Sequence, residues 1–167
     1  MSLDNAAMTV YGDSISGNCL KVKFVAARLG LPFDWVEVSV LAKQTRTPEF
    51  LAINPAGQVP VVRFADNNVL AQSKAIILHL AVGSDLIPGD AFERAQMYQW
   101  LFWEQYSHET AIAQRRYFVG EKLSLADIAL VAYTRFAHQA SIDLAQYPHV
   151  KNWLRRIETD LNIEHAQ

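Results

Sequence analysis

Asn54-Pro55-Ala56-Gly57-Gln58-Val59-Pro60 is the sharpest local signal in the chain. Pro60 stands at the head of an apolar run, and a proline has no N–H to give to a sheet. A cis Val59-Pro60 bond explains its place there. It turns the chain tightly and leaves the Val59 N–H and C=O facing outward, able to pair with an extended peptide. An ordinary trans proline after a loop fits the same residues.

The neighbouring segments supply the rest of a mixed sheet. Val59 to Phe64 and Asn68 to Leu70 flank the turn residues Asp66-Asn67, which predicts an antiparallel hairpin. Ser73 can cap a helix running through Val82, with Ile76, Ile77 and Leu80 facing inward. Upstream, Thr47-Pro48 is a helix-start pair, so Glu49 to Ile53 reads as a short helix after the polar stretch Ala42 to Arg46. Met8 to Tyr11, closed by Gly12-Asp13, reads as a buried strand. Val22, Val25, Ala26 and Leu29 then recur at helical spacing, with Lys21, Lys23 and Arg28 on the other face and Gly30 at the helix end. Phe33 to Val38 is the next strand. A strand, helix and strand of this length make a βαβ unit with parallel strands and a right-handed crossover. The order predicts a compact α/β domain, βαβαββα, over residues 8–83.

After the linker Ile87-Pro88-Gly89 the pattern turns wholly helical over residues 90–167. Ala91 to about Arg115 carries an apolar stripe through Ala95, Tyr98, Leu101, Phe102 and Tyr106. Ser124-Leu125-Ala126-Asp127 is a capping box with Asp in place of Glu, flanked by Leu123 and Ile128 as a hydrophobic staple. It starts a helix to about His138. Tyr147-Pro148 opens a last helix with Val150, Trp153, Leu154 and Ile157 inward. Trp100, Phe102, Trp103 and Tyr106 read as core or as the wall of an apolar pocket.

Composition narrows the classes of function. Fifteen basic side chains against 17 acidic ones, without a basic block, argue against nucleic acid and against an anionic membrane surface. No apolar run is long enough to span a bilayer, and Met1 to Asn5 lacks a signal pattern. Met1 to Ala7 reads as a short arm. The single cysteine, Cys19, forms no internal disulfide, which suits a reducing cytoplasm. Five histidines without ligand spacing, and one thiol, predict no metal site.

Three segments, in order, resemble the glutathione S-transferase family: Ser14-Ile15-Ser16-Gly17-Asn18-Cys19, the Asn54–Pro60 stretch with its hairpin and Gln72-Ser73, and Leu123 to Leu130. The resemblance touches most of the chain from Met8 onward. It implies a thioredoxin-like first domain and an all-α second one, and a protein that binds glutathione as co-substrate and works as a homodimer. It further implies a cis Pro60, glutathione contacts at Gln58, Val59, Pro60, Gln72 and Ser73, and the γ-glutamyl carboxylate at the Ser73 helix start. In its serine-type members, similar to the bacterial theta and zeta classes, the residue at the Ser16 position donates a hydrogen bond to the bound thiolate. That bond and the helix N-terminus both lower a thiol's pKa.

Alternatives remain at several positions. Ser16 could merely shape its loop, and Ser73 could merely cap its helix. Cys19, near a helix N-terminus, could itself be the reactive thiolate, or a small buried side chain. Lys43, Gln44 and Arg46 all stand where the family places a contact to the glycine carboxylate. The family usually has two long helices and a good part of a third between the His108 region and Leu123. This chain is shorter there, near Tyr117, by roughly 35 to 40 residues, about two ordinary helices. The expected activity is glutathione transfer to a small apolar electrophile. The alternatives are a non-catalytic binding module and a Cys19-dependent thiol oxidoreductase.

Overall fold

A computed structural model describes residues 8–104, 116–140 and 143–166. The arm Met1 to Ala7, Tyr106 and the expected helix extension to Arg115 lie outside these residues. The chain divides into two compact units, with the boundary between Leu80 and Ala81.

In the first unit, β1 (Met8–Gly12) leads into α1 (Gly17–Arg28) and β2 (Phe33–Glu37). A 3-10 turn at Gln44–Arg46 and α2 (Pro48–Ile53) follow, then β3 (Val61–Arg63), β4 (Val69–Ala71) and α3 (Ser73–Leu80). The four strands lie in the order β2-β1-β3-β4. β1 pairs parallel with β2, whereas β1–β3 and β3–β4 are antiparallel. This is the thioredoxin-like arrangement. Thr47 caps α2, its Oγ accepting the Phe50 N–H at 3.3 Å, with Pro48 at the first helical position where the missing donor costs nothing.

Val10, Val22, Val25, Val61, Val62, Ile76 and Ile77 have no exposed surface and form the core. Each such side chain contributes roughly 1.5–3 kcal/mol by leaving water. Two details differ from the sequence expectation. Lys21, expected beside Lys23 and Arg28 on the solvent face, is fully buried, while those two are exposed. α3 ends at Leu80 rather than Val82, and Val82 stands 70% exposed.

The second unit holds α4 (Ala91–Glu104), α5 (Leu125–Thr134) and α6 (Pro148–Asp160). Short 3-10 turns lie at Ala137–Ala140 and Leu144–Gln146, so α5 stops at Thr134, short of the expected His138. Nine of the ten α5 residues are buried, which makes it the axis of this core. α6 is amphipathic, burying Trp153, Leu154 and Ile157. Among the described residues no helix is long and apolar enough to cross a membrane.

Candidate functional site

The strand register brings three distant loops to one end of the sheet. Tyr11 pairs with Val61, and Val61 pairs with Ala71. β1 therefore finishes beside the start of β3 and the finish of β4. The loop 13–16, the segment Gln58 to Pro60 and the pair Gln72-Ser73 all leave from that edge. At the end of β1, Gly12 is required by its neighbours. A Cβ there would stand 2.5 Å from the Trp35 ring and 3.2 Å from Cys19 Cβ.

Two carboxylates hold the first loop. Asp13 is buried and accepts the Ile15 N–H at 3.1 Å and the Val40 N–H at 2.8 Å. Glu37 accepts the Ser14 N–H at 2.9 Å, the Ser14 hydroxyl at 3.1 Å and the Trp35 indole N–H at 2.7 Å. The Trp35 bond, and then that from the Ser14 N–H, hold the Glu37 carboxyl below its ordinary range. The Ser14 hydroxyl is thus bound to Glu37. Ser16 takes the N-cap position of α1 with extended backbone, and its side chain makes no capping bond. Its hydroxyl interacts instead with the sulfur of Cys19.

Cys19 is fully buried. Burial, the largest influence, raises its thiol above the ordinary value, against hydrogen bonds from the Asp13 N–H at 3.3 Å and from Ser16 that lower it. A reactive thiolate needs access and a lowered pKa. Cys19 has neither, and packs as a small apolar side chain.

The second loop turns on a residue that the sequence reading did not single out. Asn54 is buried, donates from Nδ2 to the Gln58 carbonyl at 2.8 Å, and accepts the Ala56 N–H at 3.2 Å. Its own carbonyl accepts the Gly57 N–H at 2.9 Å. The Asn-Pro pair was the available signal, since Asn side chains close turns on their own backbone. Gly57 has φ +61°, and a Cβ would meet the Arg46 guanidinium at 2.6 Å. The Val59-Pro60 bond that follows is cis. Val59 is half-buried and Gln58 exposed.

Gln72 and Ser73 complete the edge. Gln72 adopts a left-handed backbone, φ 71°, uncommon for a side-chain-bearing residue. Its Nε2 donates to Gln58 Oε1 at 3.3 Å, and its carbonyl accepts the Ile76 N–H at 3.0 Å. Gln72 therefore fills the cap position expected for Ser73, which is the first helical residue. The Ser73 hydroxyl donates to Asn18 Oδ1 at 3.0 Å. Asn18 is a second residue that sequence reasoning missed. Its signal is spatial, because its partner lies 55 positions away.

Of the three candidates for a second carboxylate, Gln44 is engaged, accepting the Ser39 N–H at 2.7 Å. Arg46 lies over Gly57 and reaches the Ala56 carbonyl at 3.5 Å. Lys43 is exposed, with φ 58°. The aromatic group of the helical unit divides. Trp100 packs edge-on against Trp103 and Phe118, with ring centroids at 5.6 and 5.0 Å, and Phe118 against Trp153 at 5.5 Å. Phe118 and Trp153 are core and Trp100 and Trp103 half-buried against them, while Phe102 is 70% exposed.

A thioredoxin-like unit with a cis proline and a helix start at one sheet end, followed by a helical unit, is the two-unit fold that the sequence resemblance implies. Comparison with known proteins gives the family. The pattern described as "Glutathione S-transferase, N-terminal domain" matches residues 15–82, and "Glutathione S-transferase, C-terminal domain" matches residues 104–160. The chain is 40% identical to a possible glutathione S-transferase from Rhodopseudomonas palustris, with a TM-score of 0.82 over 90% of this chain and 92% of that one. It is 33% identical over 158 residues to the disulfide-bond oxidoreductase YfcG of Escherichia coli, covering 67% of this chain and 72% of the relative. It is 35% identical over 130 residues to Protein URE2 of Eremothecium gossypii, covering 71% of this chain but only 37% of that relative's length. The chain belongs to the glutathione S-transferase family. In the YfcG comparison, 67% of 167 residues is about 112, so about 46 of the 158 aligned positions face no residue of this chain.

Proposed function

We propose that this protein is a glutathione transferase of the serine type, joining glutathione to small apolar electrophiles. The observation that carries the reading is the meeting of Ser16, Val59-Pro60 and Gln72-Ser73 at one sheet edge. Glutathione is the co-substrate. Its cysteinyl backbone pairs with Val59, Gln58 flanks it, and its γ-glutamyl carboxylate sits at the Ser73 helix start, where free N–H groups and the helix dipole favour an anion. The Ser16 hydroxyl turns from Cys19 to the ligand's sulfur and stabilises it as thiolate. The thiolate electron pair forms the new C–S bond, and the electrophile's leaving group departs with its own pair. The fold and Phe92 and Phe102, exposed on α4, support a homodimer. Lys43, whose side chain is exposed, is the group assigned to the glycine carboxylate.

Conjugation of glutathione to a chromogenic aryl halide tests the assignment. Ser16→Ala should slow it about a hundredfold, the scale of losing one donor to a developing negative charge. An unchanged rate sinks the role of Ser16. A second reading, a binding module without turnover, is favoured by the roughly 46 alignment positions that this chain lacks. Retention on immobilised glutathione without conjugation of any electrophile would select it.

A further inference from the structure

Asp13, directly after β1, is buried, and the proposed reaction gives its carboxylate no task. Its two oxygens serve two loops. Oδ1 accepts the Ile15 N–H at 3.1 Å, and Oδ2 accepts the Val40 N–H at 2.8 Å. On the first side, the Asp13 carbonyl accepts the Ser16 N–H at 3.0 Å. On the second, the Val40 carbonyl accepts the Lys43 N–H at 3.0 Å, and the Gln44 N–H closes the turn on the Ser39 carbonyl at 3.0 Å. A line of hydrogen bonds thus runs from Ser16 through Asp13 and Val40 to Lys43. A carboxylate accepts at both oxygens, whereas an amide offers one acceptor and one donor. The bridge between the loops therefore needs the acid.

We propose that Asp13 is a positioning residue that holds the Ser16 loop and the Lys43 turn in register. A ligand gripped by its glycine carboxylate at Lys43 then presents its sulfur at the right place for Ser16. Such fixing matters because a displacement of about 1 Å at the reacting atoms can cost about a hundredfold in rate. Asp13 acts through the two loops, and its effect is confined to ligands that carry the glycine. This inference rests on the assignment of Ser16 to the sulfur and of Lys43 to the glycine carboxylate.

The test compares glutathione with γ-glutamylcysteine, which lacks only the glycine. The kcat for conjugation of the aryl halide is taken at saturating ligand, so that weaker binding of the dipeptide does not enter. On the wild type, glutathione should give a kcat about tenfold above that of the dipeptide. In Asp13→Asn one of the two loops faces an NH2 donor, and the ratio should fall to within about twofold through a slower glutathione reaction. The dipeptide rate should change by less than about threefold. Glu37 still holds Ser14, and the Ser16 N–H keeps its backbone acceptor. Loss of the Asp13 charge acts on the thiol of both ligands alike and cancels in the ratio. A ratio unchanged in Asp13→Asn, or no difference between the ligands on the wild type, overturns the proposal. Failure of the wild type to conjugate glutathione at all overturns the reading beneath it instead. Should Asp13→Asn not fold, wild-type protein isotope-labelled at isoleucine and valine gives the answer by NMR. The Ile15 and Val40 amide signals should both move further with glutathione than with the dipeptide. Movement of one without the other, or of neither, would refute the bridge.

Discussion

Glu37 in the α/β unit accepts the N–H and hydroxyl of Ser14 and the indole N–H of Trp35. Asp127 in the helical unit accepts the N–H of Ser124 at 3.0 Å, its hydroxyl at 2.8 Å and the Phe118 N–H at 3.0 Å. Each carboxylate thus takes both donors of one serine and one further N–H. Yet Glu37 is held below its ordinary range, while burial pushes Asp127 up to about 6. Glu37 also feels the Lys23 cation and Asp127 the nearby Trp153 indole, both favouring the charged form, so the largest difference between the two is solvent. Glu37 is exposed and keeps its hydration, whereas Asp127 has no exposed surface. Three hydrogen bonds offset only part of the cost of removing a charge from water. The site-bearing unit uses a wet carboxylate to set a loop, and the helical unit uses a dry one to start a helix.

The sharpest way to break this comparison is to remove the dry acceptor. Asp127→Ala leaves the Ser124 and Phe118 N–H groups buried without partners and undoes the start of α5. The expected cost is about 4 kcal/mol, from two unmet donors and a lost cap. Urea unfolding of the purified chain measures it, and a loss under 1 kcal/mol would mean that water reaches these groups.

Acid titration comes next in size. Asp127 is ordinarily half-protonated near 3.8 and in the fold near 6. Between these values the native state holds a proton that the unfolded chain has released, so stability falls as pH rises through the window. The stability of the wild type relative to Asp127→Asn should drop by roughly 2 kcal/mol between pH 4 and pH 7. A flat difference would show that the carboxylate ionises at its ordinary pH in spite of burial.

The two carboxylates also show how far a sequence can be read. The Ser124–Asp127 box was legible because both partners lie within one helical turn, and the spacing is itself the signal. Thr47-Pro48 before α2 was legible for the same reason. The Ser16, Val59-Pro60 and Gln72-Ser73 segments could be named separately, and the family resemblance joined them. Their shared edge follows from strand register, which no local spacing reveals. Lys21 was misplaced because periodicity groups it with Lys23 and Arg28. Its long apolar stem lies inside while its ammonium meets Asn18. Ser73 was read as the cap because serine favours that position. Gln72 takes it by adopting a left-handed backbone that sequence pattern does not forecast for glutamine.

The smallest effect belongs to the wet carboxylate. Glu37→Gln keeps an acceptor for Ser14 and loses the charge. In an exposed setting that change should alter stability by less than about 1 kcal/mol. Its pH dependence has the opposite sign to that of Asp127. The folded Glu37 carboxyl lies below its ordinary 4.5, so its contribution is present above that value and lost as pH falls further. The wild type should thus lose its advantage over Glu37→Gln only on the acid side of pH 4.5, where the Asp127 contribution is still rising toward its full value below 3.8. Conjugation at neutral pH should change by less than about threefold, because Asp13 still holds Ile15 and Val40 and so the loop that presents Ser16. A tenfold fall in that rate, with stability unchanged, would show that the Glu37 charge acts on the sulfur site and not on the loop alone.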